Sequence, residues 1–116
     1  MIILNAQMLA LVERHCSTLR KEFEVIEFGF DAAMTGGDAL SRLRAATHKI
    51  KGSSGTLGFP EVAALAENYE RALQNAELAG VDIPVLRANH AALARVVAGV
   101  KPEQSTLHAR FSGGAK

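Results

Sequence analysis

The sequence predicts an all-α protein, an antiparallel up-down four-helix bundle, with a bend or a break allowed in its first helix. Three observations predict it. Alanine, leucine, glutamate and arginine dominate, and only 5% of residues are aromatic, which favours helices and is poor material for sheet faces. Apolar residues recur at steps of three and four over four long stretches, and no stretch alternates with the period of a strand. Gly36-Gly37, Pro60, Pro84 and Pro102 cut the chain into helix-sized pieces. Four amphipathic helices cannot each bury a stripe alone. The connections at 34–38, 58–60 and 80–83 are short enough to join antiparallel neighbours.

The first helix is predicted over 6–33. Its stripe runs Met8, Val12, Cys16, Leu19, Phe23, Ile26 and Phe30, with Gly29 as the place for a bend. Asp38 reads as the N-cap of a second helix over 39–57, with Leu40, Leu43, Thr47, Ile50, Ser54 and Leu57 inward. Pro60 opens a third helix over 60–79, with Val62, Leu65, Ala66, Tyr69, Leu73 and Ala76 inward. Pro84 opens a fourth over 84–100, with Val85, Leu86, Leu93, Val96, Val97 and Val100 inward. The domain is thus expected over 1–102. Residues 103–116 lose the pattern and read as a flexible C-terminal tail.

At 116 residues, 48% hydrophobic and 22% charged, the chain is one globular domain rather than a disordered one. A monomer is expected, because four helices close their own core. The formal charge of +1, with no recognition-helix turn and no interleaved aromatics, argues against nucleic acid. One cysteine makes no intramolecular disulfide, and no histidine–carboxylate cluster recurs at helical spacing, so no metal and no cofactor are expected. His15, His90 and His108 read as solvated or half-buried structural residues, and Cys16 as a small buried hydrophobe. No apolar run reaches about 18 residues, and the start has no basic leader, so a reduced cytoplasmic location without membrane contact is expected.

Charge is uneven. Residues 36–60 carry Arg42, Arg44, Lys49 and Lys51 against Asp38, a net +3. Residues 61–82 carry Glu61, Glu67, Glu70, Glu77 and Asp82 against Arg71, a net −4. Two readings are open: solvated faces that attract each other, or a second helix that presents a positive patch to an anion. His48 lies about 140° from the apolar centre of the second helix and so faces solvent. Arg44, Lys51, Gly52 and Gly55 share its flank within an arc of about 100°. Glycine inside a helix costs about 1 kcal/mol relative to alanine. Gly52 and Gly55 therefore mark either a place of close approach or a helix end that frays towards Gly58.

An imidazole is largely neutral at pH 7, with an ordinary pKa of about 6.5, and is then nucleophilic enough to take a phosphoryl group. A lysine one turn on can pair with phosphoryl oxygens. No general base is expected nearby.

The segment from Thr47 to Leu73 resembles histidine-containing phosphotransfer (HPt) domains. That family's pattern is a histidine, two residues, Lys-Gly, a short run of small residues and Leu-Gly. Here it is His48, Lys51-Gly52, Ser53-Ser54-Gly55-Thr56 and Leu57-Gly58, without insertion. The family's four-helix bundle agrees with the helix pattern over 6–100. The resemblance implies a shuttle of a two-component phosphorelay. It would take a phosphoryl group on His48 from a receiver aspartyl-phosphate or a histidine kinase, including a hybrid kinase, and pass it to a response-regulator receiver domain. It implies that Lys51 screens phosphoryl charge, while Arg44, Gly52 and Gly55 belong to the receiver-docking face. No glycine-rich nucleotide loop is present, so a phosphoryl carrier is expected rather than an enzyme that binds ATP and phosphorylates itself. The competing reading is an interaction module that binds and regulates a receiver or kinase through the same face without transfer.

Overall fold

The structure is a computed structural model that describes residues 2–113. The described residues form five α-helices and one 3-10 turn, with no strand among them. Helices α1 (Ile2–Ala33), α2 (Gly37–Thr56), α3 (Pro60–Ala79) and α4 (Ile83–Ala98) run up and down as the bundle expected from the sequence. α1 packs on α2 and α4, and α3 packs on α2 and α4. The body is rod-like, 52 × 20 × 17 Å.

α1 is unbroken, so the interruption that Gly29 allowed does not occur. Its length serves the core: Val12, Cys16, Leu19, Phe23, Ile26 and Phe30 are all buried. They meet Leu40, Leu43 and Ile50 of α2, Val62, Tyr69 and Leu73 of α3, and Leu86, Leu93 and Val97 of α4 in one cluster. Val85 departs from the expected stripe and is exposed, because it lies in the first turn of α4, where Asp82 caps the helix by accepting from the Val85 amide at 3.3 Å. At α2 the cap differs from expectation. Gly36 is the N-cap, and Gly36 and Gly37 both take positive φ, which a side chain would resist. Asp38 falls one step inside and makes no capping bond, although its charge suits the positive helix end.

The largest difference lies at the C-terminal end. Where a tail without helical pattern was expected, Pro102–Gln104 form a 3-10 turn and Thr106–Gly113 form α5, which packs on α1. The chain is tied down by polar bonds that leave no hydrophobic period. Ser105 is buried and donates from Oγ to the Leu57 carbonyl at 2.6 Å, and the Thr106 amide donates to the Gly58 carbonyl at 2.8 Å. Gly58 has φ +85°, and a Cβ there would stand 2.6 Å from Thr106 Oγ1, so only glycine admits this crossing. Arg20 holds the end of α4 by donating to the Val100 carbonyl at 2.6 Å. Residues 114–116 lie outside the described residues.

Candidate functional site

α2 stays helical through Thr56, so Gly52 and Gly55 are helix-internal and the frayed alternative fails. Thr47, Ile50 and Ser54 are buried beneath, which turns His48 outward. The His48 side chain is 62% exposed. A Cβ at Gly52 would meet nothing within 4 Å, whereas one at Gly55 would touch Ala63 of α3 at 4.0 Å. Gly52 is thus not required by the packing of this chain, and the surface beside His48 is open.

The α2–α3 turn is short, and His48 and Glu70 stand at equal sequence separation from Phe59 in that turn. Antiparallel packing brings them face to face. Glu70 Oε2 accepts from His48 Nδ1 at 2.7 Å, and Glu70 Oε1 accepts from Lys51 Nζ at 2.9 Å. The carboxylate is only 7% exposed and sits beneath the ring. Burial alone would push the Glu70 carboxyl up. Hydrogen bonds from Lys51 and His48, with their charges, outweigh it and hold the carboxyl below its ordinary value. Glu70 is therefore an ionised, accept-only partner, so Nδ1 carries the ring proton and Nε2 keeps its lone pair towards solvent. The expectation that no general base stands near His48 is corrected to this extent: the Glu70 carboxylate, a group able to accept a proton, lies on Nδ1. Its signal was available in the short turn together with the helical phase of α3.

One heptad further from the turn the arrangement repeats. Glu77 pairs with Arg44 and accepts from Ser41 Oγ at 3.1 Å. Arg44 is therefore engaged by α3 rather than standing free. The opposed charges of α2 and α3 do attract each other across this seam, and the same seam carries the exposed imidazole.

The other histidines behave differently. His15 is buried and meets Ser54 Oγ through Nε2 at 3.2 Å. His90 is half-buried against Phe23 and Phe30, at ring distances of 5.1 and 4.5 Å. Cys16 is buried. No group of His, Cys, Asp or Glu able to hold a metal ion occurs among the described residues, and no described helix is long and apolar enough to cross a membrane.

The fold and this seam define a class: a small helical bundle that offers an exposed, carboxylate-oriented imidazole on its second helix. The family model for the Hpt domain matches residues 6–98, and the chain belongs to the Hpt domain family. No curated protein and no solved structure matches the chain. Membership gives it a phosphotransfer role in phosphorelays, in which Hpt domains act as phosphocarrier modules and interact with receiver domains and kinases.

Proposed function

We propose that His48 carries the phosphoryl group, accepting it on Nε2 from a receiver aspartyl-phosphate or a histidine kinase and returning it to a receiver aspartate. The single observation that carries this reading is the Glu70 bond to Nδ1, which leaves Nε2 with its lone pair at an exposed position. In the forward step the Nε2 lone pair attacks phosphorus and the N–P bond forms. The bond from phosphorus to the acyl oxygen breaks, and its electron pair returns to the aspartate carboxylate. The Nδ1 proton stays in place, so the phosphorylated ring is cationic, and the Glu70 carboxylate neutralises it. The cationic ring is in turn a good leaving group for the next receiver, so transfer runs both ways. No general base takes part, because Nε2 has no proton to lose.

Lys51 has three donors, and Glu70 takes one, so others remain for phosphoryl oxygens. Gly52 leaves room for the loops of the docking domain, with Gly55 and Arg44 further along the same face. The chain acts as a carrier whose phosphoryl group arrives on a partner, without ATP binding, in the cytoplasm and as a monomer.

The test is transfer from a panel of aspartyl-phosphorylated receiver domains. The expected result is an acid-labile, base-stable label on this chain, lost in His48→Gln with helicity unchanged. Label retained by His48→Gln, or binding of every receiver without exchange, would contradict the reading.

A further inference from the structure

The end of the bundle where α3 turns into α4 carries a groove of about 790 Å³, lined by Ala76, Val81, Asp82, Ile83, Val85 and Leu86, among others. Ala76 and Leu86 are its buried members, whereas Ile83 is 43% exposed and Val85 is 45% exposed. Val85 is the residue that leaves the expected stripe of α4, so the core makes no use of it. Both walls are fixed. The Gly80 amide closes α3 by donating to the Ala76 carbonyl at 2.9 Å, and Asp82 caps α4. A Cβ at Gly80 would meet nothing within 4 Å, so the mouth is open. A hollow shaped in advance, with exposed aliphatic side chains on its edge, suits a contact with another molecule.

Charge narrows the choice of occupant. The turn from α1 to α2 lies at the same end, and a second hollow between the two turns is lined by Met34, Asp38, Glu77 and Val81, among others. Residues 28–41 and 72–86 together hold Asp31, Asp38, Glu77 and Asp82 and no lysine or arginine. Of these four, only Glu77 has an ion-pair partner among the described residues. Asp82 Oδ1 accepts from the Val85 amide at 3.3 Å, which leaves its second oxygen for another donor. Nucleic acid and an anionic lipid surface carry the same sign of charge as this end and are repelled by it. A second copy is a poor occupant too, because two-fold pairing would set carboxylates against carboxylates. A protein segment that brings a bulky apolar side chain next to a lysine or arginine matches the groove in polarity and its edge in charge.

This groove is separate from the imidazole. Ala79 lies about 180° round α3 from Glu70 and roughly 14 Å along it. The two sites open on different faces, and both can be occupied at once.

We propose that the α3–α4 groove holds a basic amphipathic segment of a partner protein: an apolar side chain of the segment seats between Val81 and Val85, and a lysine or arginine beside it pairs with Asp82. A protein that holds the chain here leaves His48 free for exchange. The proposal goes beyond the carrier reading and does not depend on it.

The probe is a synthetic amphipathic helix of leucine and lysine, with a leucine–glutamate peptide as its counterpart, titrated into the full nitrogen-15-labelled chain. The lysine peptide shifts the amides of residues 76–86, and the glutamate peptide does not. Val85→Ala weakens binding about threefold. Asp82→Asn keeps a capping side chain, weakens binding about threefold and flattens its salt dependence. Phe28→Ala removes an apolar side chain that is 93% exposed on α1 and leaves binding unchanged. With the peptide bound, His48 takes label from phosphoramidate at the same rate. Equal binding of both peptides, shifts centred on Phe28 instead, or unchanged affinity in Val85→Ala and Asp82→Asn overturns the groove as a docking site. Shifts of the same amides with rising concentration of the chain alone, with a dimer in sedimentation, overturn it in favour of self-association. A chain that binds the peptide at 76–86 and takes no label supports the groove and removes only the carrier reading.

Discussion

Tyr69 and Glu70 are neighbours on α3, about 100° apart round the helix, and each holds a histidine of a different neighbouring helix. Glu70 reaches into α2, where its carboxylate accepts from His48 Nδ1. Tyr69 reaches into α4, where its hydroxyl shares a hydrogen bond of 3.0 Å with His90 Nδ1. Burial pushes the Tyr69 phenol far above its ordinary value, so the hydroxyl stays protonated. The two imidazoles are therefore held by different chemistry, one by a carboxylate that only accepts and one by a phenol that can donate or accept. His48 offers Nε2 at an exposed position, whereas Nδ1 of His90 is already engaged by the phenol. The comparison teaches that chemistry on this scaffold is set by the α3 residue behind the ring, a carboxylate or a phenol, and by whether aromatic rings cover it.

The sharpest way to break the comparison is to remove each histidine in turn. His48→Gln loses all phosphoryl acceptance and costs about 1 kcal/mol, because the buried Glu70 carboxylate loses one of its two donors while Lys51 remains. His90→Gln keeps acceptance and loses about 1–3 kcal/mol, since it empties space between Phe23 and Phe30. Label assays and denaturant unfolding on the same two proteins check both halves.

Glu70→Ala is next. With no carboxylate to hold Nδ1–H, the His48 ring is free in tautomer and rotation, and transfer slows by about tenfold to a hundredfold, the range for outer partners that orient a working imidazole. Nitrogen-15 spectra follow the same change directly: the His48 tautomer becomes mixed while that of His90 is unaltered.

Much of this arrangement could be read from the sequence, and what could not has identifiable causes. The helices, the inward stripes and the outward direction of His48 follow from periodicity, because burial of an apolar face decides them. Glu70 escaped because a carboxylate beside a buried tyrosine looks like an ordinary surface residue until the register of the α2–α3 hairpin is worked out. α5 escaped for a different reason: the end of the chain is anchored by Ser105 and Thr106 to the carbonyls at Leu57 and Gly58, and backbone hydrogen bonds leave no apolar period. Helical phase sets Arg44 on the His48 flank of α2, but its pairing with Glu77 depends on that same register.

Acid unfolding sharpens the contrast more gently. Burial lowers the pKa of both His15 and His90 below the ordinary value of 6.5, with nearby acidic groups offsetting part of the shift. The unfolded chain then binds protons that the folded one refuses. Stability is full above pH 6.5 and is lost as the pH falls through the folded values. Glu70 adds a second loss at lower pH, because its carboxyl is held below the ordinary 4.5 and its stabilisation disappears as the pH falls through the folded value. Urea unfolding between pH 8 and pH 4 shows the first decline, and His90→Phe reduces it.

The smallest effect is at Gly52. Alanine there meets open space and gains helix propensity, so Gly52→Ala raises stability by about 0.5–1 kcal/mol while weakening transfer from a receiver and leaving phosphoramidate labelling alone. Thermal melts and paired labelling assays separate the two.

The central claim is that the carboxylate behind the exposed ring decides which nitrogen reacts. The direct measurement is a heteronuclear spectrum of nitrogen-15-labelled protein after phosphorylation. Phosphorus coupled to Nε2 of His48, with the proton still on Nδ1, is the predicted result. Phosphorus on Nδ1, or on any other side chain, would contradict it.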